Sequence, residues 1–140
     1  MKISARNQLK GTVSAVSEGA VNGVVTINLG ENTVKANITM EAIKDLGIKE
    51  GVAAVAIVKA SNVMFATGSE PITNISARNQ IAGKVSAVKT GAVNGHVTIE
   101  TAEGAQITGS ITNEAIEALG LVENAPAIAI VKSTDVIVGV

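Results

Sequence analysis

Ile3-Ser4-Ala5-Arg6-Asn7-Gln8 recurs unchanged as Ile75-Ser76-Ala77-Arg78-Asn79-Gln80, 72 positions further along a chain of 140 residues. Gly19-Ala20-Val21-Asn22-Gly23 returns at the same displacement as Gly91-Ala92-Val93-Asn94-Gly95. Past the middle of each copy the displacement becomes 73, since Ile38-Thr39 matches Ile111-Thr112 and Ile57-Val58-Lys59 matches Ile130-Val131-Lys132. One unit is therefore written twice, with a residue gained in the second copy between Ala102 and Gln106. The copies are read as domains at residues 1–67 and 75–140. Residues 68–74 between them are the linker, where Gly68 frees the backbone and Pro71 stops a strand from continuing.

Within each copy the apolar residues mostly recur at every second position, the period of a strand with one face inward. Leu9, Val13 and Val16 mark a first strand, and Gly11 interrupts it where a bulge or barrel bend is expected. A second strand is expected over residues 21–29, and Val34, Ala36 and Ile38 alternate along a third. The period then changes. Thr39 is placed to cap a short helix over residues 40–46, with Glu41 favourable in its first turn, Ile38 and Ile43 spaced as a hydrophobic staple, and Gly47 closing it. The second copy repeats these roles with Thr112, Glu114, Ile111, Ile116 and Gly120. Strands over residues 52–59 and 63–67 complete the unit. Three strands, a helix and two strands is the element order of an OB-type barrel. The expected fold class is all-β: two tandem OB-like five-stranded barrels, each with one short helix between strands three and four.

Composition narrows the function. Lys and Arg number 11 against 12 Asp and Glu, so no bulk charge favours nucleic acid or an anionic membrane. Base stacking on an OB barrel needs aromatic faces, and Phe65 is the single aromatic residue. Without cysteine, neither disulfides nor thiolate metal sites are available. Copies of roughly 65 residues are marginal alone, and the 46% hydrophobic content exceeds what two small barrels need inside. The surplus is read as subunit interface, making a homo-oligomer the expectation. The N-terminal residues lack a signal-peptide core, and apolar runs such as residues 52–58 are far shorter than the roughly 20 residues of a membrane span, so a cytoplasmic protein is expected.

An enzyme is not expected. His96 is the single histidine and its counterpart in the first copy is Val24, so it reads as an exposed strand residue rather than a catalytic or metal-binding one. Carboxylates are scattered over turns and helix ends, unlike a site for a free cation. Gly19, Gly23 and Gly30 lack the spacing of a nucleotide loop, and no cofactor is expected. What recurs is a set of donors: Ser-Ala-Arg opens each copy, and Lys59-Ala60-Ser61 and Lys132-Ser133-Thr134 follow the fourth strands. Arg and Lys donate without accepting, and Ser or Thr can turn a hydroxyl to a ligand, which suits a tetrahedral oxyanion. The same charges read equally as solvated strand ends.

Ser-Ala-Arg-Asn-Gln, then Gly-x-Val, Gly-Ala-Val-Asn and Ile-Val-Lys-Ala-Ser, taken together, resemble the Mop domain of the molbindins, and the likeness covers nearly the whole chain twice. It implies a cytoplasmic protein that binds molybdate or tungstate as an intact oxyanion for storage and homeostasis, at sites between subunits or domains of a trimer. The ligands it implies are Ser4, Ala5, Arg6, Asn7, Lys59, Ala60 and Ser61 in the first copy. In the second they are Ser76, Ala77, Arg78, Asn79, Lys132, Ser133 and Thr134, where Ser133 and Thr134 depart from Ala60 and Ser61. A second kind of oxyanion site near the symmetry axis is implied for Gly19, Val21, Asn22, Gly91, Val93 and Asn94. Those segments read equally as tight turns with Asn and Gly at positive φ. The alternative function is a ligand-free regulatory or interaction module of the OB type.

Overall fold

The computed structural model describes residues 2–140. The first repeat forms strands β1 (Asn7–Ser17), β2 (Asn22–Asn28) and β3 (Thr33–Thr39), helix α1 (Met40–Asp45), then β4 (Ala53–Val58) and β5 (Met64–Thr67). The second forms β6 (Asn79–Thr90), β7 (Asn94–Glu100), β8 (Gln106–Thr112), α2 (Asn113–Ala118), β9 (Pro126–Val131) and β10 (Ile137–Gly139). A 3-10 turn follows β4 at Ala60–Asn62 and β9 at Ser133–Asp135. All strand pairs are antiparallel.

The helices begin and end as their sequences dictate. Thr39 Oγ1 accepts from Ala42 N at 3.1 Å and Thr112 Oγ1 from Ala115 N at 3.1 Å. At the other end Gly47 and Gly120 both take φ 63°. There Gly47 N donates to Lys44 O and Ile48 N to Ile43 O, a Schellman closure that brings buried Ile48 onto buried Ile43. Gly120 and Leu121 do the same against Glu117 and Ile116.

Two local expectations are corrected. The bulge in β1 falls between Val13 and Ala15, and that in β6 between Val85 and Ala87, rather than at the glycines. Gly11 is instead a point of close approach, where a Cβ would collide with the Asn28 carbonyl oxygen and come within 2.8 Å of Ile27 Cγ2. Nor does the Gly-Ala-Val-Asn turn use positive φ at Gly19, Asn22 or Gly23, or at their counterparts. Gly91 N donates to Asn94 O at 2.9 Å across that turn, and a Cβ on Gly91 would lie 2.6 Å from the same oxygen, so the constraint is space rather than handedness.

The two copies do not each close a sheet of their own. The sheets run β10-β4-β1-β2-β3 and β5-β9-β6-β7-β8, so each takes its fifth strand from the other repeat. Val138 pairs with Ala56 and Phe65 with Ala129. Each sheet curls until its edge strands touch, β10 against β3 and β5 against β8. A single apolar core spans both repeats, with Val25, Ile27, Val97, Ile99, Ala36 and Ala56 fully buried. Part of the burial that a 65-residue unit lacks is thus supplied inside the chain.

Side-chain volumes favour this exchange. Phe65 packs where Gly109 leaves room, since a Cβ there would lie 2.8 Å from Phe65 Cζ and 3.1 Å from Val63 Cβ. The positions corresponding to Phe65 and Gly109 in the other sheet hold Val138 and Ala36, a smaller residue over a larger one. Returning each strand to its own repeat would press Phe65 onto Ala36 and leave a gap between Val138 and Gly109. Both mismatches oppose the unexchanged pairing.

The seam is pinned by two buried asparagines. Asn7 Nδ2 donates to Thr108 O and Asn7 Oδ1 accepts from Thr108 N, both at 2.8 Å. Asn79 repeats this on Lys35, at 2.8 Å and 2.7 Å. Each amide stands in for one residue of an extra strand on an edge strand of the opposite repeat, and so satisfies groups that would otherwise be unpaired at the seam.

Three variants test this packing by denaturant unfolding. Gly109→Ala alone should cost about 1–3 kcal/mol through overpacking. Combined with Phe65→Val it should cost less than the two single changes added together, with a favourable coupling of about 0.5 kcal/mol or more. Asn79→Ala should cost about 2 kcal/mol or more, because it orphans both the N–H and the C=O of Lys35.

Candidate functional site

The ladder between β1 and β4 starts at Asn7↔Val58, and that between β6 and β9 at Asn79↔Val131. The residues just outside these pairs are Ser4, Ala5 and Arg6 beside Lys59, Ala60 and Ser61, and Ser76, Ala77 and Arg78 beside Lys132, Ser133 and Thr134. Register alone therefore joins segments about 55 residues apart in sequence. The 3-10 turn Ala60–Asn62 packs on β8, and Ser133–Asp135 packs on β3, so both donor groups lie at the seam between repeats.

In the second repeat these residues line a cleft of about 360 Å³ walled by Ser76, Ala77, Lys132, Ser133 and Thr134 together with Met64 and Ile75. No carboxylate lines it. Lys132 and Thr134 are exposed and Ser133 is half-buried, leaving an ammonium and hydroxyls at an open mouth. Met64 enters the wall because the fifth strand is exchanged, a feature that the linear repeat does not announce. Such a cleft can hold an anion by charge-assisted hydrogen bonds and can release it again.

Three groups of expected residues land differently. Arg78 is not part of that wall. Arg6 lines a separate cleft on the outer face of the second sheet, with Lys89, His96, Thr98 and Thr108. Asn7 and Asn79 are buried and spend their side chains on the seam, with their backbones paired to Val58 and Val131. In the Gly-Ala-Val-Asn segments, the Val21 and Val93 carbonyls accept from Met40 N and Asn113 N at the helix starts, both at 2.8 Å, while their side chains are 72% and 69% exposed. Gly19, Asn22, Gly91 and Asn94 are exposed on the same turns.

His96 is not the exposed strand residue that its place in the sequence suggests. It lies half-buried on β7, and its Nδ1 is buried with no hydrogen-bond partner. Among the described residues no group of three or more His, Cys, Asp or Glu is gathered to hold a metal ion. No helix in the described residues is long and apolar enough to cross a membrane.

Residues 3–65 and 75–138 each match the TOBE domain. The chain is 40% identical over 141 residues to the molybdenum transport protein ModE of Herbaspirillum seropedicae, covering 100% of this chain and 52% of that protein. It is 38% identical over 138 residues to the molybdenum-pterin-binding protein MopA of Rhodobacter capsulatus, covering 98% of this chain and 52% of that one. The chain thus spans about half the length of these curated relatives. A crystal structure of the cytoplasmic molybdate-binding protein ModG with molybdate bound matches it at a TM-score of 0.95 and 46% identity, covering 100% of this chain and 99% of that chain. With two TOBE repeats, an all-β architecture shared with ModG and relatives of the ModE and MopA kind, the chain belongs to the tandem Mop-domain molbindins.

Proposed function

We propose that this protein binds molybdate or tungstate in the cytoplasm, for molybdenum storage and homeostasis, and performs no chemistry on the anion. The carrying observation is the seam cleft of Ser76, Ala77, Lys132, Ser133 and Thr134, which collects donors and no carboxylate. By the repeat, Ser4, Ala5, Lys59, Ala60 and Ser61 would form its counterpart, with Arg78 adding positive charge at the seam, while Arg6 lines the separate outer cleft. Support comes from the structural match to ModG, a cytoplasmic molybdate-binding protein. A tetrahedral dianion accepts from every one of these groups and relieves the repulsion among them. The ligand is the whole oxyanion, so no resident cofactor or free cation is required.

Assembly into a homo-oligomer, a trimer as the family resemblance implies, belongs to the same reading. Met64 and Ile75 in the cleft wall are 46% and 44% exposed, and Ile137, Val140, Val21 and Val93 are at least as exposed. Contact between subunits across these residues would cover apolar surface next to the anion and strengthen its hydrogen bonds by excluding water. No nucleic-acid or membrane partner is needed.

The test is calorimetric titration of the anion-stripped protein with molybdate in sulfate-containing buffer, with the assembly mass measured on the same sample. The expected result is uptake of more than one anion per chain by an assembly heavier than a monomer. Replacing both Lys59 and Lys132 by Ala should weaken that uptake roughly tenfold or more, since each change removes a charge-assisted donor. Absence of heat in the unmodified protein would overturn the reading in favour of an interaction module.

A further inference from the structure

On the outer face of the second sheet, the cleft of about 380 Å³ that takes up Arg6 has a composition unlike the seam site. The sheet register puts Lys89 on β6 beside His96 on β7, and Thr98 on β7 beside Thr108 on β8. Arg6 arrives from the first repeat. Its neighbour Asn7 grips the backbone of Thr108 through two hydrogen bonds of 2.8 Å, which fixes where the chain carrying the guanidinium crosses the edge of the sheet. Two permanent cations thus share one cleft, and no carboxylate lines it.

The remaining polar groups there can also act as donors. Thr98 Oγ1 and Thr108 Oγ1 lie 2.8 Å apart, so one hydroxyl donates to the other and a single O–H remains free to turn outward. His96 Nδ1 is buried without a partner, and the residue lines the cleft. A buried N–H with no acceptor is costly, which favours the tautomer with its N–H at Nε2, a donor available to a ligand. The first-repeat positions that correspond to Lys89, His96 and Thr108 hold Ser17, Val24 and Lys35, so the imidazole and the β6 ammonium have no equivalents in the first repeat.

We propose that Arg6, Lys89, His96, Thr98 and Thr108 form an additional binding site for a small tetrahedral oxyanion, present once per chain. The site departs from the twofold logic of the duplication and is independent of the Lys59 and Lys132 donors. Its ligand is defined by shape and charge, which molybdate and inorganic phosphate share. The two anions are the two arms of the test.

Because the chain has a single histidine, the ring resonances of His96 in an NMR spectrum report on this cleft alone. Titration of the full-length protein with molybdate, and separately with inorganic phosphate, should move them saturably at constant pH and ionic strength. The arm that saturates at lower concentration identifies the source. Lys89→Ser, which installs the first-repeat residue, should raise the half-saturation concentration by roughly tenfold. The Lys59→Ala/Lys132→Ala protein should keep the His96 response even where seam uptake is weakened, so failure of the molybdate-storage reading and failure of this one are separable. Shifts that stay linear for both anions, or a saturable shift that Lys89→Ser leaves unchanged, would overturn the assignment.

Discussion

The reciprocal exchange of fifth strands is the constraint on which the rest of the molecule depends. β5 completes the sheet of the second repeat and β10 that of the first, so neither repeat is a finished sheet without its neighbour. Two features lock that arrangement. Phe65 over Gly109 makes the strands distinguishable by volume, and the amides of Asn7 and Asn79 occupy hydrogen-bonding groups on the edge strands β8 and β3. The chain thereby forms one body with a continuous core rather than two barrels on a string.

That seam is also where the charge collects. Each Lys-bearing segment leaves its fourth strand and turns against the edge strand of the other repeat, while Asn7 and Asn79 hold the Ser-Ala-Arg segments against the same edges. Gathering like charges along a fold seam costs stability unless a counter-ion is present. A protein that binds and releases an oxyanion there would couple ligand binding to the tightness of its own seam, and hence to its folding stability.

Duplication gives the two halves the same scaffold, and apart from the Phe65–Gly109 pair in the core the copies also differ on the outward faces of the sheets. Gly11 and Gly83 are both required by the close approach of a neighbouring strand. Ser17 and Lys89 are exposed and Val24 and His96 half-buried, so these positions differ between the copies outside the fully buried core. One half can therefore acquire donors that the other lacks without disturbing the barrel.

Most of the fold was legible in the residues. Period two located the strands to within a residue or two, and Thr39, Ile43 and Gly47 specified both ends of a helix, because caps and side-chain alternation are local properties of the backbone. The donor segments were legible too, through their recurrence in both copies. What the sequence did not contain in readable form was which strand completes which sheet, since β5 and β10 are compatible with either partner by pattern and differ only in volumes matched across space. The seam role of Asn7 and Asn79 and the meeting of Arg6 with His96 are likewise contacts between the repeats. By itself the sequence determined the elements, their caps and the duplication, because these rest on neighbours in the chain. Only the tertiary structure decided the partners, because register and strand exchange are settled by long-range packing that no single segment encodes.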